Sequence, residues 1–268
     1  MMCKKQAIIF FLCLLPLFAH TQINYNYGKF KSGESFTLDI YYNWGFIWLN
    51  AGWAKFEIRD TLYNKTKAFH LYSTGATNPG YDWFFKVRDT YEAIVEPAEY
   101  RPYWFRCNTH EGSFWDREEA VFNYADSIAI TKTETAKRAY GIDTIKINRQ
   151  VTDLVSAIYI CRSIDFSNIK VNQQVPIPVI VGNKLYNLHI RYLGKEEITD
   201  RNEKTHTCRK FAVMMVSGTI FNGGEDLVAW VTADDKCLPI LVQAKIAVGS
   251  IKAFLSKYEE NAYKNEKK

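Results

Sequence analysis

Apolar and polar residues alternate with period two along most of the chain. In residues 35–42, Phe36, Leu38, Ile40 and Tyr42 fall on one side and Ser35, Thr37, Asp39 and Tyr41 on the other. That is the pattern of a half-buried strand. In residues 53–59, Ala54, Phe56 and Ile58 alternate with Trp53, Lys55, Glu57 and Arg59. Similar short strands are predicted near 67–74, 89–96, 100–107, 111–115, 118–125, 127–133 and 143–148, then at 174–181, 184–193, 208–217, 226–233, 238–247 and 250–258. Turn signals separate them at Gly75, Pro79-Gly80, Gly182-Asn183 and Gly223-Gly224. Gly182-Asn183 is a two-residue link of the kind that makes tight hairpins. Short strands at this spacing favour a mostly antiparallel all-β fold over βαβ units. The expected form is a strongly curved sheet, a partial barrel or a sandwich.

One segment breaks the alternation. Residues 153–166 place Leu154, Val155, Ile158, Cys161 and then Ile164 or Asp165 at helical spacing, with Thr152 or Asp153 as N-cap. The spacing predicts one amphipathic helix of roughly three turns that plugs or flanks the curved sheet.

The N-terminus follows a different rule. Residues 1–5 hold two lysines and no acid, residues 6–18 are almost wholly apolar, and Ala19-His20-Thr21 puts small residues three and one positions before Gln22. These are the three regions of a secretory signal, so 1–21 are expected to be a cleaved signal peptide and 22–268 one β domain. The apolar run is short of the ~20 residues a membrane-crossing helix needs. Phe11-Leu12 precede Cys13 where lipoprotein processing requires small residues, which argues against lipidation. No later stretch reaches membrane length. The expected location is periplasmic or secreted, with a peripheral place at the outer membrane allowed.

Charge excludes one partner class. Cleavage removes Lys4 and Lys5 and no acid, which lowers the formal charge from +5 to +3. That is too little to argue for a nucleic acid. A monomer is expected.

Cys107, Cys161, Cys208 and Cys237 follow the signal. An oxidising compartment permits disulfides. If the strands at 209–217 and 226–233 reflect about a loop centred near Asn222, Cys208 comes opposite 236–237, and Cys208–Cys237 is the expected bond. Four free buried thiols are the alternative. Cys161, on the apolar helix, reads as a small packed hydrophobe. No CxxC occurs.

Catalytic and metal signatures are lacking at the level of motif. His70, His110, His189 and His206 have no partner at the spacings of a metal site, and HExxH, GxSxG and phosphate-cradling glycine patterns do not occur. The acidic pairs Glu118-Glu119, Asp234-Asp235 and Glu259-Glu260 are sequence neighbours, which on a strand point to opposite faces. No catalytic residue, metal ligand or cofactor is assigned, and the balance leans away from an enzyme. Aromatic residues are the unusual feature, at 15% of the chain. On the concave side of a curved sheet they would take an apolar chain or stack on sugars; the plainer reading has them close two faces of a β core. Trp48, Trp83, Arg88, Trp115 and Trp230 are the candidate cleft residues, for a lipid or glycan ligand. Two other expectations stand beside this one. A glycan hydrolase needs two carboxylates ~5–10 Å apart in an open cleft beside a tryptophan. An assembly partner needs a large exposed apolar patch and no deep pocket.

Several phrases occur together in one order: Tyr41-Tyr42-Asn43-Trp44-Gly45 with Asn50-Ala51-Gly52-Trp53-Ala54, Phe85-Lys86-Val87-Arg88-Asp89-Thr90-Tyr91, Tyr100-Arg101-Pro102, Asp153-Leu154-Val155-Ser156-Ala157-Ile158-Tyr159 with Arg162, and Trp230-Val231-Thr232-Ala233-Asp234-Asp235 with Leu238-Pro239 and Val248-Gly249-Ser250. In this order they resemble the exported bacterial family catalogued as domain of unknown function 3108, over nearly the whole chain after the signal. The aromatic-rich style and the Gln after the cleavage site are similar to Bacteroidetes-like exported proteins. The resemblance implies an all-β protein of the cell envelope and carries over no catalytic residue.

Overall fold

The structure is a computed structural model that describes residues 23–44, 46–216, 223–246 and 249–262. The expected signal peptide, residues 1–21, lies outside the described residues.

Among the described residues, fourteen strands form one antiparallel sheet. In the first half, β1 (Ser35–Trp44), β2 (Ile47–Tyr63), β3 (Thr66–Thr77), β4 (Arg88–Val95), β5 (Pro102–Glu111), β6 (Phe114–Asn123), β7 (Ile128–Thr135) and β8 (Arg138–Lys146) each pair with the next. The second half is β9 (Gln174–Val181), β10 (Lys184–Thr199), β11 (Thr205–Met215), β12 (Gly224–Thr232), β13 (Pro239–Lys245) and β14 (Ser250–Glu259). β1 pairs with β14, which joins the halves and leaves β8 and β9 as the two edges.

The sheet curls until both halves share one core. Paired residues share a face, so one inner row runs Ile58, Leu71, Ala93, Phe105, Ala120 across β2 to β6. It packs in the same buried cluster as Val175, Ile190, Tyr192 and Phe211 of the second half. The predicted alternation holds in β1 and β2: Phe36 and Leu38 are buried, and on the other face of β2 Lys55 and Arg59 both pair with Glu57, at 2.7 and 2.9 Å.

Closure into a barrel stops at β8 and β9 for a reason written in the sequence. β9 carries Pro176 and Pro178, which have no N–H to offer a neighbouring strand. Side chains and a short backbone contact bridge the gap instead. Thr152 N–H donates to Pro178 O and Ile180 N–H to Thr152 O, both at 2.9 Å. At the opposite end of the seam, Arg138 donates to Asn183 Oδ1 (3.1 Å), Asn183 Nδ2 to Asp143 (3.0 Å), and Gly182 N–H to Glu118 Oε2 (2.8 Å). Gly182 sits at φ +62° in the two-residue turn between β9 and β10, as predicted.

The chain between β8 and β9 forms the helix, α1 (Leu154–Arg162), which packs against β3, β4 and β9 and plugs one end of the sheet. Asp153 is its N-cap and accepts from Val155 N–H and Ser156 N–H. The helix is shorter than the apolar spacing suggests. Ser163 turns its hydroxyl onto Tyr159 O, and Ile164 leaves to bridge Tyr25. Its buried face is Val155, Ser156, Tyr159, Ile160 and Arg162, while Leu154 and Cys161 pack at the core's margin. The rings of Phe30, Tyr100 and Tyr159 fill this end, with centroids 5.7 to 6.4 Å apart.

Gly52 marks a close approach between β2 and β3. A Cβ there would stand 2.3 Å from Ala76 O, a backbone atom that cannot swing aside. Gly52→Ala is expected to lower unfolding free energy by about 1–3 kcal/mol, read by urea denaturation. An unchanged midpoint would contradict this packing.

All four described cysteines are free, which corrects the expected Cys208–Cys237 bond. The strands reflect about position 220 and not 222, as the pairs Val213–Leu227 and Cys208–Thr232 show, so Cys208 comes opposite Thr232. Cys208 points to the outer face, among Trp230 and Leu241. Cys237 lies 3.6 Å from Arg209 Nη1, and Arg209, next along β11, points to the other face.

Candidate functional site

The outer face of β4 to β7 carries a ladder of alternating charge. Glu92, Arg106, Glu119 and Lys132 are paired directly across these four strands. Arg106 Nη2 donates to Glu92 Oε1 and Lys132 Nζ to Glu119 Oε1, each at 2.7 Å. His70 of β3 extends the ladder, its Nε2 lying 3.1 Å from Glu92 Oε2. The next row toward the β5–β6 turn is Thr90, Asn108, Arg117 and Glu134. These two rows and Tyr140 line an open groove of about 480 Å³.

Tryptophans flank it. Trp104 lies two residues before Arg106 on the same face of β5, and Trp115 two residues before Arg117 on the same face of β6. Each ring carries the neighbouring guanidinium, at 5.3 Å for Arg106 on Trp104 and 5.1 Å for Arg117 on Trp115. These stacks hold ring and fork in fixed relation. The groove offers acceptors (Glu92, Asn108, Glu119), fork donors and aromatic surface. Glu92, Glu119 and Glu134 each have a cation partner, Glu134 with Arg117 at 3.9 Å.

The inner face behind the groove holds a different chemistry. Moving along the strands away from α1, the inner row changes to Ser73, Tyr91, Cys107, Glu118 and Thr133, and then to Asp89, Thr109 and Asp116. Burial pushes the Glu118 carboxyl well above its usual value, and neighbouring Asp116 raises it further. Burial also lifts Asp89 to about 6 and drives the Cys107 thiol far up. Glu118 accepts from Gly182 N–H, so this buried acid holds the sheet's seam. Among the described residues, no group of three or more His, Cys, Asp or Glu gathers as a metal site.

The five predicted cleft residues do not come together. Trp48 lies on the outer face beneath Lys252, whose Nζ is 4.9 Å from the ring. Trp83 stands 83% exposed on the link between β3 and β4. Arg88 is committed to Asp82, with bonds of 2.6 and 3.0 Å. Trp115 flanks the groove. Trp230 is buried on the outer face of β12, covered by Lys210 and bonded through Nε1 to Glu196 at 2.9 Å. The inner face expected to hold them is filled near α1 by Phe30, Tyr100 and Tyr159, and in the second half by Phe166, Tyr192 and Phe211.

A family model described as a protein of unknown function (DUF3108) matches residues 21–256. The chain belongs to this family. A crystal structure titled as a β-barrel-like protein of domain of unknown function DUF1849, from Brucella abortus, is similar to the DUF3108 chain with a TM-score of 0.54 at 9% identity. The match covers 85% of this chain and 98% of that one. At that identity the likeness speaks for the fold alone. No curated protein matches.

The groove of this DUF3108 member is not visible in local sequence patterns because its residues stand on five strands between positions 90 and 140. One signal was present. Arg106, Arg117, Glu119 and Lys132 all sit at polar positions of alternating strands, where a strand facing only solvent has no need of paired charge.

Proposed function

We propose that this DUF3108 protein is exported and non-catalytic, and that the outer groove of β4–β7 binds a hydroxyl-rich ligand of the glycan class. The observation that carries the reading is the Glu92–Arg106–Glu119–Lys132 ladder, open to solvent in the groove. Sugar hydroxyls both donate and accept, which suits a floor where donors and acceptors alternate. Rings on both flanks add stacking surface for sugar faces. An apolar ligand gains nothing from this floor and would strip water from ion pairs. The N-terminal signal reading, and with it a periplasmic or outer-membrane-peripheral location, forms part of the proposal.

Titration with envelope oligosaccharides, followed by calorimetry, tests it. Saturable binding is expected to weaken about tenfold or more in an Arg106→Ala, Glu119→Gln variant, while stability changes by less than about 1 kcal/mol because these pairs are exposed. Equal binding by wild type and variant would move the ligand elsewhere. Preference for a hydrocarbon probe over every oligosaccharide would overturn the ligand class.

A further inference from the structure

The end of the sheet opposite α1 carries bare aromatic side chains. Phe46, in the β1–β2 turn, is 95% exposed, and Trp83 and Phe84 are 83% and 78% exposed on the β3–β4 link. The start of the β3–β4 link is tied to β2. Asn78 N–H donates to Ala51 O and Asn78 Nδ2 to Asn50 O, at 2.9 and 2.8 Å.

The aromatic link is braced. Pro79–Tyr81 form a 3-10 turn, and Phe84 N–H and Phe85 N–H both donate to Tyr81 O. Arg88 grips the Asp82 carboxylate, which also accepts from Thr77 Oγ1 at 2.7 Å. Phe85 turns back against Gly112, while the Trp83 and Phe84 rings meet edge to face at 5.9 Å and point to solvent. A scaffold this well bonded holds large apolar groups in water, which is unfavourable unless something covers them.

We propose that this tip docks onto an anionic lipid surface. Charge selects that occupant. The acid on the link, Asp82, is consumed by Arg88. Against one further acid, Glu111, which bridges Val87, three cations stand around the tip: Lys86 is exposed beside Phe85, Lys245 is exposed at the β13–β14 turn, and Lys252 lies over Trp48. Tryptophan with flanking lysine is the pairing that settles at a membrane–water boundary, ring among the head groups and ammonium on phosphate. A second copy of the chain fits less well. Stable self-association buries ~800 Å² per partner on matching surfaces, and three side chains on projecting turns offer no such plane. The groove lies on the side of the sheet, so docking by the tip leaves it open.

Co-sedimentation of the purified protein with phosphatidylglycerol–phosphatidylcholine vesicles, against pure phosphatidylcholine vesicles, tests the proposal. Binding is expected with the anionic vesicles, with a blue shift of tryptophan emission, and weakening as salt rises. Trp83→Ala, Phe84→Ala together should reduce it about tenfold or more, and Lys86→Glu should remove most of the salt dependence. Both variants alter exposed side chains, and an unchanged thermal midpoint confirms folding. Wild-type protein that stays in the supernatant at low salt overturns the proposal, as does undiminished binding by the double variant. Dimerisation in sedimentation velocity that the double variant abolishes, with no vesicle binding, assigns the patch to a second copy instead.

Discussion

Arg162→Ala is expected to destabilise the protein by about 3–5 kcal/mol, the range for breaking one partner out of a buried ion pair. Arg162 and Glu34 are 4% and 7% exposed, and Nη1 lies 2.6 Å from Glu34 Oε1. Nη2 donates to Lys236 O at 2.9 Å. The guanidinium lies over Phe30, Phe36 and Tyr159, 4.1 to 5.4 Å from their centroids. One side chain thus ties together the N-terminal segment, the last turn of α1 and the turn before β13. Removing it leaves the Glu34 carboxylate buried without its cation and opens a void among three rings. Arg162→Met with Glu34→Gln should cost clearly less than the sum of the single changes, because neither charge is then left alone. Urea unfolding of the two single variants and the double variant measures this. A loss below 1 kcal/mol for Arg162→Ala, or simple additivity, would mean the pair is not the tie it appears geometrically.

Much of this architecture could be read from the chain, and its limits have physical causes. Period two identifies strands because side chains alternate faces on a pleated backbone. It predicts that Phe36 and Leu38 share a face with Ala54 and Phe56, as they do. It does not say which of two faces looks inward when both carry large residues. Trp48, Trp115 and Trp230 therefore read as cleft residues, whereas each sits on the outer face with a cation over its ring. Two of the rings that fill the interior, Tyr100 and Tyr159, come from a turn and a helix, where no strand rule applies. Register is the second limit. A loop centre two positions earlier than the glycine signal suggests puts Cys208 opposite Thr232 and not opposite 236–237. Long-range partnership is the third. The resemblance includes Arg162, but its partner Glu34 stands 128 positions away, and the groove's ladder is assembled from four strands. A local pattern carries no information on such pairings.

The stability of this protein is expected to peak on the acid side, between about pH 4 and 5, and to fall toward neutrality. Asp153 is fully buried at the N-cap of α1, and burial lifts its carboxyl from 3.8 to about 6. An acid whose folded value exceeds its unfolded one binds its proton more tightly in the native state. Folding is therefore favoured while that proton is held, and stability declines as pH rises from about 4 to about 6. At 1.36 kcal/mol per unit, Asp153 alone accounts for a decline of about 3 kcal/mol. Asp89, at about 6, and Glu118, raised by burial and by Asp116, act in the same direction. The opposite limb comes from carboxylates held down by their partners, Glu225 most, at about 2 through Arg191 and His189, with Asp82, Asp165, Glu196, Asp200 and Glu260 beside it; their contribution is present above about 4.5 and lost as pH falls. Asp153→Asn is the decisive variant. Asparagine keeps an oxygen for the Val155 and Ser156 amides, and the Ser156 hydroxyl, which donates to Oδ2 at 2.5 Å, can turn to accept from the new amide. Unfolding free energies measured from pH 3.5 to 8 should lose most of the decline between 4 and 6 in this variant. Glu118→Gln should instead flatten the part of the curve at higher pH, since that acid releases its proton against both burial and a second carboxyl. A wild-type curve that rises from pH 4 to 7 would mean that these acids are solvated in the native state.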